Sequence, residues 1–224
     1  LLTTSSKNAI FTGCIADTYE QTVRAALMRL IQAVGESADI SSQQVCCGQA
    51  ARHAGDSHTA EKLSKLNKTA FNDYERVLML ASGCSSALQD TLKLPVIDAC
   101  TFINQFAEKL NFKSAKGLCI ALHTPCSASF DKSQLATIEL LKRIPDLQII
   151  ELPDSGCCGA AGLHQFNQPE RAKQMRSPII QAVNASKAEL ILSQNIGCRL
   201  HIANAKSIPV LHPIEFMAQF LHGI

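Results

Sequence analysis

Eight cysteines recur in two matched sets: Cys14, Cys46, Cys47 and Cys84, then Cys126, Cys157, Cys158 and Cys198. The first members are 112 residues apart, the Cys-Cys-Gly triplets 111 and the last members 114. Thiolates are soft ligands suited to iron–sulfur clusters and to zinc. Neighbouring cysteines close a disulfide only with strain, but they can serve adjacent metals of one cluster. Gly48 and Gly159 then allow a close backbone approach or a positive φ. Gly83 and Gly197, just before the last cysteine of each set, have the same use. Structural zinc sites usually show short Cys-x2–4-Cys loops, and neither set has one. A preserved register of buried, inert thiols has no obvious cause. Iron–sulfur clusters therefore lead, with zinc as the alternative.

The elements that must position these thiols repeat with them. Residues 94–98 match 208–212, and Phe102 and Phe106 match Phe216 and Phe220. A period of this size is that of a domain, not of a solenoid. The division expected is one unit over 1–114 and a second over 115–224. Short apolar runs at 9–12, 76–81 and 96–97, and at 118–123, 147–152, 189–193 and 210–211, predict buried strands. The counterpart of 147–152 in the first unit, near 40–45, is much weaker. Helical spacing of apolar residues predicts helices over 18–35, 56–74 and 101–110, and over 133–144, 168–186 and 214–221. Alternating strands and helices imply an α/β fold: two duplicated Rossmann-like units, each a small, mostly parallel sheet flanked by helices. In such sheets sites form at the carboxyl ends of the strands, and Cys14, Cys84, Cys126 and Cys198 each lie at or just past a strand end.

Composition agrees. The chain has 224 residues, 46% hydrophobic and 18% charged, enough for a real core and unlike a disordered or collagenous chain. A net charge of +2, 5% aromatics and no Trp give no footing for nucleic acid. Ten cysteines in 224 residues fall below the roughly 8–10% of disulfide scaffolds. Apolar runs such as 77–81 are far shorter than the ~20 residues that span a bilayer. The first residues lack the apolar stretch of a secretory leader, so a cytoplasmic chain is expected. The start at Leu1, in place of Met, suggests a piece of a longer protein.

The series Cys14–Cys46-Cys47-Gly48–Cys84 and Cys126–Cys157-Cys158-Gly159–Cys198 resembles the tandem cysteine-rich CCG domain family over nearly the whole chain. Segments 81–84, 155–162 and 197–201, with 210–215, are similar to the iron–sulfur subunit of glycolate oxidase. The resemblance implies clusters, most simply of the [4Fe–4S] type, held by the eight cysteines. It also implies an FAD-containing oxidase subunit as partner, oxidation of a 2-hydroxy acid there, and electron flow towards a membrane quinone pool. Peripheral association with the inner face of the membrane follows from that flow. Lactate-utilisation and anaerobic glycerol-3-phosphate dehydrogenase subunits are the alternatives, and a non-redox zinc scaffold is another. The family's fullest motif ends in Cys-x-x-Cys. Here Ala87 and His201 stand at the last position, which argues against a five-cysteine cluster and makes His201 a marginal candidate ligand. No Cys-x2-Cys-x2-Cys run occurs, so the family's ferredoxin-like part is expected to be missing from this chain.

Other residues carry less. Cys119 and Cys100 are expected as core thiols. His123, His53 and His164 stand near cysteines, where a hydrogen bond to a ligand is conceivable. His212 aligns with Asp98, which suggests a helix cap. There is no G-x-G-x-x-G, P-loop, G-x-S-x-G or H-E-x-x-H, so no residue reads as a substrate catalyst.

Overall fold

The computed structural model describes residues 6–129, 132–205 and 208–222. Residues 1–5, read above for a leader, lie outside them. The first copy runs β1 (Asn8–Phe11), α1 (Cys14–Tyr19), α2 (Gln21–Ala33), α3 (Gln49–His53), α4 (Ser57–Ala70), β2 (Arg76–Met79), α5 (Ser85–Thr91), β3 (Val96–Asp98) and α6 (Ala99–Asn104). The second runs β4 (Cys119–Leu122), α7 (Ser133–Leu141), β5 (Gln148–Glu151), α8 (His164–Asn167), α9 (Pro169–Ala185), β6 (Leu190–Leu192), α10 (Ile196–Ala203), β7 (Val210–Leu211) and α11 (Pro213–Phe220).

Both sheets are parallel. Their orders are β1-β2-β3 and β5-β4-β6-β7. The first sheet lacks a full partner for β5, as its weak sequence foretells. Only one parallel bridge, Ala9 to Asp39, stands in that place, with Ile10 donating to the Asp39 carbonyl at 2.8 Å. In the second sheet the chain passes from β4 outward to β5 and returns to β6 on the other side. The crevice between β4 and β6 is thus the point where strand order reverses, where ligands bind in open α/β sheets. Cys126 follows β4 and Cys198 follows β6. Cys14 and Cys84 follow β1 and β2 in the same way.

Two helices differ from the sequence reading. The segment 18–35 is broken at Glu20, whose backbone leaves the helical region between α1 and α2. The segment 101–110 ends its α-helix at Asn104 and finishes in a 3-10 turn. Helices α5, directly after Cys84, and α10, which carries Cys198 in its first turn, have no counterpart among the helices read from the sequence.

The copies are not packed as separate beads. Helix α2 packs on α11, and α6 on α7. One continuous core runs through Leu27, Leu30, Phe102, Leu140, Phe216 and Met217. Burying side chains of this size is worth roughly 1.5–3 kcal/mol each, so the seam is a main source of stability. Two smaller cores lie under the thiols, one with Cys47 and one with Cys158 and Cys198. Cys100 and Cys119 are buried core thiols. Among the described residues no helix is long and apolar enough to cross a membrane.

Candidate metal centres

In the first copy Cys14 starts α1, where Gly13 takes a positive φ of 71°. Cys46 and Cys47 lie in the loop before α3, and Gly48 caps that helix in the left-handed region at φ 81°. Cys84 ends a 3-10 turn before α5. Asn67 holds the loop from behind. It is fully buried on α4, its amide donates to the Cys46 carbonyl at 3.0 Å, and it accepts from Val45 at 3.0 Å. Sequence reasoning missed Asn67. Its signal was a polar residue on the inner face of an amphipathic helix.

The four thiols form one chain of contacts. Cys14 donates to Cys46, Cys46 neighbours Cys47, and Cys47 lies 3.1 Å from Cys84. The second copy repeats this: Cys126 donates to Cys157, Cys157 neighbours Cys158, and Cys158 lies 2.9 Å from Cys198. All eight sequence-predicted cysteines thus fall into two sets of four. One end of each chain, Cys14 and Cys126, is exposed, while Cys47, Cys158 and Cys198 are buried.

The electrostatics give each chain a centre. Hydrogen bonds from Cys14 and Cys47 pull the Cys46 thiol far below its ordinary range, with the Gly48 amide also pointing at its sulfur. Cys157 is held down in the same way by Cys126, Cys158 and the Gly159 amide. The donors Cys14, Cys47, Cys126 and Cys158 are pushed up, chiefly by those bonds and then by burial. A thiolate at the first cysteine of the Cys-Cys-Gly loop is the form that binds metal. Donors made only of sulfur suit iron–sulfur clusters and zinc. Among the described residues no three Cys, His, Asp or Glu side chains are placed to hold a single metal ion.

The glycine after each pair is needed for space as well as for φ. A Cβ on Gly159, at φ 87°, would lie 2.9 Å from both the Cα and the carbonyl oxygen of Ala172. At Gly48 the nearest atom would be 3.4 Å away. Left-handed backbone costs a residue with a Cβ roughly 1–2 kcal/mol, and overlap in a packed site adds about 1–3 kcal/mol. Gly159→Ala is expected to cost about 3 kcal/mol in urea unfolding, and Gly48→Ala nearer 1 kcal/mol. Equal losses would contradict this.

The histidines divide. His201 sits on α10, one turn after Cys198, with its Nε2 donating to the Ala172 carbonyl at 3.2 Å. That bond engages Nε2. Ala87 is buried one turn after Cys84. His164 meets the Gly159 carbonyl at 3.1 Å through Nδ1. His53 reaches across from the first copy, and together with Cys157, His164 and Met175 it lines a cleft of about 690 Å³. His212 caps α11 by accepting from Ile214, as Asp98 caps α6. Its Nε2 donates to the Leu80 carbonyl of the first copy at 2.9 Å.

His123 is buried and bonded through Nδ1 to Ser193 at 3.0 Å. Burial pulls it down to about 4. His212 is lowered well below its ordinary range, by burial first and the nearby Arg199 charge second. Unfolded, both titrate near pH 6.5. A lowered folded pKa favours the fold fully above that pH. The contribution is lost as pH falls from about 6.5 towards 4, because the unfolded chain then binds the protons. Urea midpoints measured across this window should fall less steeply for His123→Gln than for the unaltered chain, and identical slopes would refute the assignment.

Comparison with known proteins follows the same two sets. The chain is 27% identical over 232 residues to the glycolate oxidase iron–sulfur subunit of Escherichia coli K12, covering 93% of this chain and 56% of that one. It is 25% identical to a subunit of the fumarate reductase (CoM/CoB) of Methanothermobacter marburgensis, over 95% of this chain and 45% of that one. Lactate utilization protein A of Bacillus subtilis 168 is 25% identical, over 94% of this chain and 98% of its own length. The chain spans about half the length of the first two. The model of the cysteine-rich domain CCG matches residues 8–89 and 120–203, one match on each set of thiols. The chain therefore belongs to the cysteine-rich CCG domain family and carries its domain twice.

Proposed function

We propose that the chain is the electron-transfer part of a glycolate oxidase-like complex, with one domain over 1–114 and a second over 115–224. In this reading an FAD subunit oxidises a 2-hydroxy acid, and the chain accepts the electrons and passes them towards quinone. It acts on the cytoplasmic side, docked peripherally at the membrane, with the ferredoxin-like part that the family resemblance implies for the same protein as a further partner. Cys14, Cys46, Cys47 and Cys84, and Cys126, Cys157, Cys158 and Cys198, would hold clusters of the [4Fe–4S] type. One-electron transfer is the chemistry such clusters supply when bound.

The observation that carries this is the pair of four-thiol chains, the same in contacts and polarity in both copies. The protein's own residues fix the thiol spacing, bury Cys47, Cys158 and Cys198, and aim the Gly48 and Gly159 amides at sulfur. Relatives named as iron–sulfur subunits support it. Lactate stays level with glycolate as the partner's substrate, because Lactate utilization protein A matches over 98% of its own length.

Metal analysis of anaerobically purified protein tests the reading. Iron with acid-labile sulfide and a visible charge-transfer absorbance is expected. Zinc without iron would overturn the redox role in favour of a scaffold. Co-purification with a flavoprotein specific for glycerol-3-phosphate would overturn the substrate class.

A further inference from the structure

The two thiol centres meet at one amide. Asn195 follows β6 and caps α10, with Oδ1 accepting from Gly197 at 2.8 Å. That bond shapes the turn bearing Cys198. Its Nδ2 faces two hydroxyls at 3.4 Å, Ser82 Oγ and Ser127 Oγ. These lie 2.7 Å from each other, across the seam between the copies. Ser82 stands two residues before Cys84, and Ser127 directly follows Cys126. One side chain thus adjoins the turns of three ligand cysteines, one of them in the other copy.

The two glycines that precede the last cysteines confirm how tight this is. A Cβ on Gly83 would lie 2.7 Å from Asn195 Nδ2, and one on Gly197 would lie 3.2 Å from Asn195 Oδ1. Neither glycine has a positive φ, so space, not backbone conformation, calls for glycine at both. The 3.4 Å contacts are long for hydrogen bonds, and shape contributes as much here as bonding.

The pseudo-symmetry of the copies is broken at this spot. In the register of the repeat, Asn195 corresponds to Ala81, and Ile196 to Ser82. The polar and apolar positions are exchanged. Ala81, Ile196 and Ala16 form a small apolar cluster with Cys84 packed against it, while Ser82 and Asn195 meet beside it. A single amide therefore serves both Gly-Cys turns.

We propose that Asn195 is a positioning residue shared by both thiol centres, so that the geometry of Cys84 in one copy depends on the turn of Cys198 in the other. Its metal-bound form rests on the function proposed above; the coupling of the two turns does not.

The discriminating substitution is Asn195→Ser. Serine keeps a good helix cap but is too short to reach Ser82 and Ser127. The background is Cys157→Ser with Cys158→Ser, in which iron is left to the first copy. There Asn195→Ser is expected to speed loss of that iron to a chelator by on the order of tenfold, the low end for partners that orient metal ligands. An unchanged rate would overturn the proposal. A second measurement needs no metal and no ligand substitution: alkylation of the iron-free chain by iodoacetamide, followed cysteine by cysteine by mass spectrometry. Asn195→Ser should make Cys84 react faster as well as Cys198, and Gly83→Ala should in turn speed Cys198. Faster reaction at Cys198 alone would reduce Asn195 to a local cap and refute the coupling. If the unaltered chain takes up no iron at all, the cluster reading fails, and the alkylation rates alone decide the coupling.

Discussion

Replacing Cys157 by Ser is expected to abolish the iron of the second copy and leave that of the first. Cys46→Ser should do the reverse. These two positions should show the largest losses of any single cysteine. Each is the acceptor at the centre of its chain, held down by bonds from two neighbouring thiols and a glycine amide. Serine keeps the shape and removes the soft, easily ionised sulfur on which metal binding depends. The exposed ends, Cys14 and Cys126, are less enclosed, so their serine variants should retain more iron. The check is iron and labile sulfide per chain, with the visible absorbance, in anaerobic preparations of these four variants and of Cys158→Ser. Unchanged iron in both Cys157→Ser and Cys158→Ser would remove the second ligand set; a loss at Cys126→Ser larger than at Cys157→Ser would misplace its centre.

The two sets of four thiols were legible because a register of eight cysteines is local information repeated twice. The sheets were legible because strands buried on both faces, such as Ile10, Val77 or Ile191, leave continuous apolar runs. Even the missing strand of the first copy showed, since the run near 40–45 is too polar to match 147–152. Helix α10 was not read, although Asn195 is a cap residue followed by a helical turn; the glycine and cysteine at its start hid it. The pairing of Glu20 and the contacts of Ser82 and Asn195 could not be read, because each has its partner in the other copy. What the sequence lacks is the docking of one copy on the other, and the residues missed are those that act there.

Glu20→Gln is the seam substitution expected to cost most, about 3–5 kcal/mol of folding stability. Glu20 lies in the first copy, between α1 and α2, and forms an ion pair with Arg199 in the second, directly after Cys198. Their side chains are only 4% and 6% exposed. Arg199 also donates to the Ser193 carbonyl at 2.7 Å. Burial lowers Arg199 to about 9, with Glu215 acting in the opposite sense. A guanidinium so placed is tolerable only with its counter-charge, and removing Glu20 leaves it buried with the more distant Glu215 alone. Removing both charges is different, since well-packed apolar groups often replace a buried pair at little cost. The double variant Glu20→Gln with Arg199→Met should therefore lose less than the sum of the single losses, by about 1–3 kcal/mol of coupling. Urea unfolding of the three variants measures this. A cost below about 1 kcal/mol for Glu20→Gln would be that of a solvated surface pair, and would leave the apolar packing of α2 on α11 to hold the copies together.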